Sequence, residues 1–231
     1  MYSCDTSTFV GVILMFWWLY LAHLLSDYPF QSTWMVINKT RWPVLLLHSG
    51  VHFVTSFILI GQARFMVWPY LILLALIHFM IDVGKNALNR KRSDWIILPY
   101  FIDQGLHAIS IFFVGLLIYQ QVDPAVLPGK SLGVILTIAY LLVTYVWYIT
   151  ERVISTNQPE YRREVIELAW TRMFIRTGFL TALLAVSVMV YQLSSTIIFR
   201  NPYSFAKTGI RALLTDISVA VICLLFVLIV T

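Results

Sequence analysis

Seven long apolar segments constrain the fold of this chain more than any other feature of its sequence. Each is about 20 residues long, the length that an α-helix needs to cross the hydrocarbon core of a bilayer. They lie at residues 8–27, 42–62, 65–85, 97–120, 132–151, 173–194 and 210–230. Hydrophobic residues make up 60% of the chain and charged residues only 12%, which excludes an ordinary soluble domain. We therefore predict an all-α integral membrane protein, a polytopic transmembrane helix bundle of about seven spans.

The basic residues of the connecting loops predict the orientation of these spans. The loops on one side of the membrane carry eleven Lys and Arg residues, and those on the other side carry five. Because cytoplasmic loops are enriched in Lys and Arg, we expect the amino terminus outside and the carboxyl terminus in the cytoplasm. The same asymmetry accounts for the net charge of +5, so the charge does not indicate a nucleic-acid partner.

The first half of the chain contains an internal repeat with an offset of 55 residues. Each copy reads HxxxD, then a polar connection, then (H/D)xGxH, and each copy extends over two spans. The corresponding positions are His23 and His78, Asp27 and Asp82, Gln31 and Asn86, His48 and Asp103, and His52 and His107. Two spans return the chain to the same face, so the copies are predicted to be parallel, related by a pseudo-twofold axis along the membrane normal.

This repeat divides the chain into three parts. Residues 1–120 are predicted to form a bundle of duplicated helical hairpins, and residues 121–131 a linker. Residues 132–231 are predicted to form three further spans, with an interfacial helix near 158–172 at the cytoplasmic surface. Asp216 is expected in the outer half of the last span, in a structural role.

Each of the first four spans carries two ionisable residues four positions apart. This spacing puts both side chains on one helix face, and the topology puts all four pairs in the cytoplasmic half of the bilayer. Ionisable groups inside a membrane are costly and normally face a partner. All five histidines of the chain belong to these pairs. We predict a single metal site with the ligands His23, Asp27, His48, His52, His78, Asp82, Asp103 and His107.

Imidazole and carboxylate together suit zinc, iron or manganese, and no cysteine takes part. Three aspartates would leave one divalent ion with a net negative charge, whereas two divalent ions and a bridging hydroxide would make the cluster neutral. We therefore expect two ions, with zinc favoured and iron or manganese as alternatives. Asp27, Asp82 and Asp103 are the candidate catalytic carboxylates. A proton relay, or a structural His/Asp network without metal, is the competing interpretation.

Several polar residues and glycines adjoin the proposed ligands. Gln31, Lys85, Asn86 and Gln104 are predicted to bind substrate or to orient the ligands. Lys85 can equally be a lysine whose ammonium group marks the membrane border. Gly50 and Gly105 either let helices approach closely around the centre or are ordinary small packing residues.

The motifs HLLSDYPFQ, HSGVH, HFMIDVGK and DQGLH occur in this order within the first 120 residues. In them the chain resembles the bacterial membrane family catalogued as domain of unknown function 3307. That resemblance implies a bacterial cytoplasmic (inner) membrane protein and carries no established activity. More loosely, HxxxD and HxxxH on membrane helices are similar to the proteins described as membrane-bound metal-dependent hydrolases, which implies metal-dependent hydrolysis.

Three functions are compatible with these features. The first is a metal-dependent hydrolase that acts on a lipid or a membrane-delivered ester, amide or phosphoester. The second is a di-iron oxidase or desaturase, although known soluble di-iron bundles use Glu and ExxH rather than HxxxD. The third is a transporter or proton-coupled protein, although the polar groups are predicted in one leaflet rather than at the midplane. The expected partners are membrane lipid and the substrate. The sequence is also compatible with a homo-oligomer.

Overall fold

The computed structural model describes residues 6–129, 131–192 and 210–230, and every secondary-structure element within them is helical. The predicted all-α class is confirmed. The helices are α1 (Thr6–Asp27), α2 (Thr33–Asn38), α3 (Trp42–Leu59), α4 (Arg64–Lys91), α5 (Ile97–Gln121), α6 (Leu132–Leu141), α7 (Trp147–Ile154), α8 (Pro159–Glu167), α9 (Ala169–Gln192) and α10 (Ile210–Val230). A π-helical turn, Leu142–Val146, joins α6 to α7.

Among the described residues, five helical stretches are long and apolar enough to cross a bilayer. They are Val10–Asp27, Trp42–Leu59, Gly61–Lys91, Ile97–Gln121 and Leu132–Asn157. The chain is thus an integral membrane protein. The last two predicted spans coincide with α9 and α10. Within α10, the apolar stretch Leu214–Leu225 is shorter than the five candidate spans. The count of seven spans stays a prediction.

The sequence near the ends of the first helices explains where they begin and end. Pro29 follows the end of α1, and proline lacks the N–H that a continuing helix would need. The hydroxyl of Ser32 caps α2 by accepting a hydrogen bond from the Met35 backbone nitrogen at 3.2 Å. Pro43 lies in the first turn of α3, where the missing N–H costs nothing. Gly61 adopts a φ of 66° in the short turn that folds α4 back along α3.

The chain divides into two compact units, Met1–Val134 and Ile135–Thr231. The division falls a few residues after the predicted linker at 121–131. α8 lies within the segment 158–172 that the sequence predicts as an interfacial helix, and its position at a membrane surface stays a prediction.

In the first unit, four helices form a closed ring. α1 packs against α3 and α5, and α4 packs against the same two helices. One half of the interior is an apolar core that includes Leu19, Leu71, Ile111 and Ile118, each at most 2% exposed. The other half contains the predicted metal ligands, which lie in the last turns of α1, the middle of α3 and α4 and the first half of α5. The apolar half therefore closes one end of the polar half.

The second unit contains a buried network of four charged side chains. Arg172 Nη2 donates to Glu151 Oε1 at 2.6 Å and to Asp216 Oδ1 at 3.3 Å. Arg176 Nη1 lies 3.5 Å from a carboxylate oxygen of Glu151 and of Asp216. Tyr161 donates its hydroxyl to Glu151, and partial burial together with this contact raises the pKa of Tyr161. The network ties α7, α9 and α10 together.

The position of Asp216 corrects the sequence prediction. The prediction put Asp216 in the outer half of its span and Arg172 at the cytoplasmic face, but the two side chains are in contact. Because Arg172 lies in the first turn of α9 and Asp216 in the second turn of α10, the amino-terminal ends of the two helices are adjacent. The prediction of a cytoplasmic carboxyl terminus assumed that α9 and α10 begin at opposite faces of the membrane. Because the two helices begin next to each other, that prediction loses its support.

Candidate metal centre

All eight predicted ligand side chains meet inside the ring of α1, α3, α4 and α5. Seven of them are buried, and the Asp27 side chain is 10% exposed. Their donor atoms fall into three groups, within each of which the atoms lie no more than 4.8 Å apart. The groups are Asp27 with His48, His52 and His78; His23 with His78 and His107; and Asp82 with Asp103 and His107. The i,i+4 spacing thus brings together every residue that the sequence analysis selected.

Asp27, His48 and His52 form the tightest group. Asp27 Oδ1 lies 3.0 Å from His48 Nε2 and 3.0 Å from His52 Nε2, and the two imidazole nitrogens are 3.2 Å apart. His78 Nε2 lies 4.0 Å from the same carboxylate oxygen. One carboxylate oxygen and three imidazole nitrogens therefore converge on one point between α1, α3 and α4.

Asp82, Asp103 and His107 form the corresponding group on the other side of the ring. Asp82 Oδ2 lies 3.4 Å from His78 Nε2 and 3.7 Å from His48 Nε2. Asp103 Oδ1 lies 3.4 Å from His107 Nε2. The 55-residue offset maps this group onto Asp27, His48 and His52, and the duplication itself stays a prediction.

His78 lies between the groups. Its ring centroid is 3.6 Å from that of His52 and 4.1 Å from that of His107. A cavity of about 10 Å³ lies among these imidazoles, His23 and the apolar core. A space of this size holds about one water molecule or ion.

Several buried polar atoms in the cluster have no hydrogen-bond partner among the described residues. They are His78 Nε2, His107 Nε2, Asp82 Oδ2 and Asp103 Oδ1. His78 Nε2 lies 3.4 Å from Asp82 Oδ2, and His107 Nε2 lies 3.4 Å from Asp103 Oδ1, but neither pair has the geometry of a hydrogen bond. Buried polar atoms are rarely left unpaired in native proteins, and one recognised reason for such atoms is an ion.

Two lysines contact the carboxylates at the rim of the cluster. Lys85 Nζ donates to Asp103 Oδ2 at 2.6 Å, and Lys39 Nζ lies 3.3 Å from Asp82 Oδ2. The side chains of Lys39 and Lys85 are 21% and 28% exposed, whereas those of Asp82 and Asp103 are nearly inaccessible. The lysines therefore mark a side on which the cluster approaches the surface of the protein.

The remaining predicted polar residues hold these groups in place. Gln104 Nε2 donates to Asp103 Oδ2 at 3.1 Å. Asn86 Nδ2 donates to the backbone oxygen of Lys39 at 2.9 Å, so it fixes the segment that carries this lysine. Gln31 satisfies both amide atoms when its oxygen accepts from Lys39 Nζ at 3.0 Å and its nitrogen donates to the Asp27 backbone oxygen at 3.2 Å. In the opposite amide orientation, its nitrogen would lie 3.4 Å from both ring nitrogens of His48.

The sequence analysis missed Lys39 as a residue of the site. It counted this lysine only as a loop cation that indicates orientation. Lys39 follows the short helix α2, which no periodic pattern relates to α4, and Asp82 is 43 residues away. Asn86 was the one feature of the sequence that could have indicated this contact. It lies one turn after Asp82, where a polar side chain can bind the segment between α2 and α3 that carries Lys39.

An apolar groove of about 860 Å³ lies on the outer surface of α1 and α3. Its lining includes Leu25, Phe30, Leu47, Gly50 and Val54. A Cβ atom added at Gly50, or at its repeat counterpart Gly105, would have no other atom within 4 Å. Of the two interpretations offered for these glycines, the close approach of helices is therefore not observed, and at Gly50 the missing side chain leaves room in the groove.

The donor atoms fit a small divalent cation. Tetrahedral zinc with bonds of about 2.0–2.1 Å has donor atoms about 3.3 Å apart. The separations within the Asp27, His48 and His52 group are 3.0, 3.0 and 3.2 Å. If these contacts were only hydrogen bonds, Asp27 Oδ1 would accept from both imidazoles, and the two Nε2–H groups would face each other at 3.2 Å. A cation at their centre removes that conflict.

Fold and site together define an all-helical membrane protein with a buried His/Asp cluster at one end of a four-helix ring. Residues 15–127, just under half of the chain, match the model of the family described as "Protein of unknown function (DUF3307)". No curated protein and no solved structure matches the chain. The looser resemblance to membrane-bound metal-dependent hydrolases thus has no support from the comparisons.

Proposed function

We propose that this protein is a membrane-embedded metal-dependent hydrolase that acts on a lipid or another membrane-delivered substrate. One observation carries the proposal: all eight selected side chains converge, and Asp27, His48 and His52 already have the donor separations of a small cation. Two divalent ions, with zinc favoured, are the proposed cofactor. The proposed location is the cytoplasmic membrane of a bacterium, with the cluster in the inner leaflet.

The arrangement suits hydrolysis. Divalent ions in the cluster would activate a water molecule and polarise the carbonyl or phosphoryl oxygen of the substrate. A carboxylate oxygen not engaged by an ion would accept the proton of the attacking water, and Asp27, Asp82 and Asp103 are the candidates. The water oxygen bonds to the carbonyl carbon or phosphorus, the bond to the leaving group breaks, and the leaving group takes up a proton.

Water and substrate are proposed to reach the cluster from different sides. The partly exposed lysines would lie on the side open to water, and the apolar groove would take up a lipid chain. The polar groups lie at one end of the ring, and the apolar core closes the other end. A path for transport across the membrane would need polar groups along the whole ring, so this arrangement favours an enzyme.

Substitution of two ligands tests the proposal. In Asp82→Ala and His52→Ala, we expect loss of bound metal, measured by elemental analysis, together with loss of turnover on ester, amide and phosphoester lipids. Asp94→Ala is the matched control, because Asp94 is exposed in the connection between α4 and α5. Full metal content in both ligand variants would refute the proposal. Bound iron with an iron-oxo absorption band would indicate a di-iron oxidase or desaturase instead.

A further inference from the structure

We infer that the substrate is a lipid with a terminal phosphate monoester, whose phosphate lies between Lys39 and Lys85 and whose acyl chain lies in the groove of α1 and α3. The inference rests on the proposed hydrolase function and specifies its substrate class. It uses Lys39 and the groove, neither of which is needed to bind metal.

The charge of the site favours a doubly negative group. Three aspartates, two divalent ions and one hydroxide are neutral together, but this count omits the ammonium groups of Lys39 and Lys85 that contact Asp82 and Asp103. With both lysines included, two positive charges remain. A phosphate monoester carries about −1.5 to −2 near neutral pH and has three acceptor oxygens, so it would neutralise the occupied site. A neutral ester or amide would leave both charges uncompensated.

The two lysines are suitably placed for this role. Each contacts a carboxylate of the cluster, and Asp82 and Asp103 belong to the same group of donor atoms within 4.8 Å of one another. Metal ions bound to these carboxylates would take up their negative charge and weaken the lysine contacts. The ammonium groups would then be available to an anion next to the ions. Asn86 fixes the backbone from which Lys39 reaches the site.

The groove supplies the place for an acyl chain. Its volume of about 860 Å³ lies within the usual range for small-molecule pockets, and its walls are almost entirely apolar. Phe30 lines the groove, and the next residue, Gln31, contacts both Asp27 and Lys39. The groove therefore adjoins the side of the cluster on which Lys39 lies. A lipid whose chain occupies the groove would place its polar end at that side.

The reaction balances without a further reactant. The oxygen of one water molecule bonds to phosphorus, and the bond between phosphorus and the lipid oxygen breaks. The lipid oxygen takes up a proton and leaves as an alcohol, and the other product is inorganic phosphate.

The experiment compares two ligands on zinc-loaded full-length protein in nanodiscs of neutral lipid. The probes are a monoacylglycerol phosphate and the corresponding uncharged monoacylglycerol, and dissociation constants and zinc content are measured for each variant. We expect Lys39→Met and Lys85→Met each to weaken binding of the phosphate lipid by about tenfold or more, since each removes a charged hydrogen-bond donor. Binding of monoacylglycerol and zinc content should not change. Lys91→Met, at an exposed position of α4, is the matched control.

Gly50→Leu tests the groove in the same assay. The leucine would fill the groove without a clash at its Cβ, so both acyl ligands should bind several-fold more weakly at normal zinc content. Gly105→Leu, the repeat counterpart outside the groove, should behave like the wild-type protein.

The two proposals fail in different ways. Normal zinc content with equal affinity for both lipids, or with lysine variants that bind the phosphate lipid normally, would overturn the phosphate inference alone. Normal lipid binding by Gly50→Leu would overturn the placement of the acyl chain. Absence of bound metal from the wild-type protein would overturn the hydrolase function and, with it, this inference.

Discussion

The two units of the chain both bury charged side chains, but they balance the charge differently. In the second unit, two arginines contact two carboxylates, Glu151 and Asp216, and the formal charges cancel. In the first unit, three aspartates contact imidazoles and two lysines at the rim, so the carboxylates outnumber the ammonium groups. Both units contain atoms without a hydrogen-bond partner among the described residues. In the second unit these are mainly guanidinium N–H groups, and in the first they include carboxylate oxygens and imidazole nitrogens.

The difference indicates two purposes for buried charge in a membrane protein. Charges inside a bilayer must be neutralised by nearby partners. The second unit neutralises its charges with its own side chains, which suits a structural tie between helices. The first unit offers more negative charge and more donor atoms than its own cations satisfy, which suits a site completed by added cations. Separate substitutions in the two units can test this distinction.

The largest effect on folding is expected from Arg172→Ala in the second unit. Removal of one member of a buried ion-pair network leaves carboxylates uncompensated, and we expect a loss of about 3–5 kcal/mol in the free energy of unfolding. Denaturant unfolding in detergent measures it, with and without a chelator. The loss should be the same in both conditions, because this network does not depend on metal.

Arg163→Ala is the control for this prediction. Arg163 forms an ion pair with Glu167 on the surface of α8, where water screens both charges. Its removal should cause no measurable change. An unfolding midpoint of Arg172→Ala equal to that of the wild-type protein would contradict the structural role of the network.

An intermediate effect, with opposite signs in two conditions, is expected from Asp27→Asn in the first unit. In the zinc-loaded protein the substitution removes a ligand and should lower the free energy of unfolding by about 1–3 kcal/mol. After chelation it removes an uncompensated negative charge, so stability should stay the same or rise. Thermal unfolding of both forms measures the change, with Asp94→Asn as the exposed control. Equal destabilisation with and without zinc would indicate a purely structural cluster.

The candidate site was largely predictable from the sequence because its signals are local. The i,i+4 pairs determine which face of each helix is polar, and the repeat relates His23 and Asp27 to His78 and Asp82. Together they select residues that the fold does bring together. Periodicity also located the long helices to within a few residues at most ends, since apolar length is what a membrane span requires.

The remaining contacts depend on chain positions that no local pattern relates. Lys39 reaches Asp82 from a connection whose path follows from the fold of α2 and its bond to Asn86. The contact of Arg172 with Asp216 joins residues 44 positions apart on helices whose relative direction a hydropathy pattern does not define. The predicted direction of α10 rests on an alternation of spans, with which the contact of Arg172 with Asp216 does not agree.

The smallest effect is expected from Asn86→Ala. It removes one neutral hydrogen bond to the backbone of Lys39, which is worth about 1 kcal/mol. Zinc content should be unchanged, whereas affinity for a phosphate lipid should fall, because Lys39 is positioned less firmly. Asn38→Ala is the control, since Asn38 makes a similar bond to a backbone oxygen within its own helix. A loss of zinc in Asn86→Ala would show that Asn86 supports the ligands themselves.

Zinc-edge X-ray absorption combined with elemental analysis of the purified protein is the most direct test of the central claim, that the four-helix ring is built around cations. The account predicts about two ions per chain, whose charge together with a bridging hydroxide balances that of the three aspartates. It also predicts nitrogen and oxygen ligands at about 2.0–2.2 Å, with no sulfur in the coordination shell. Protein purified under metal-replete conditions that contains no ion, or zinc bound through sulfur, would contradict it.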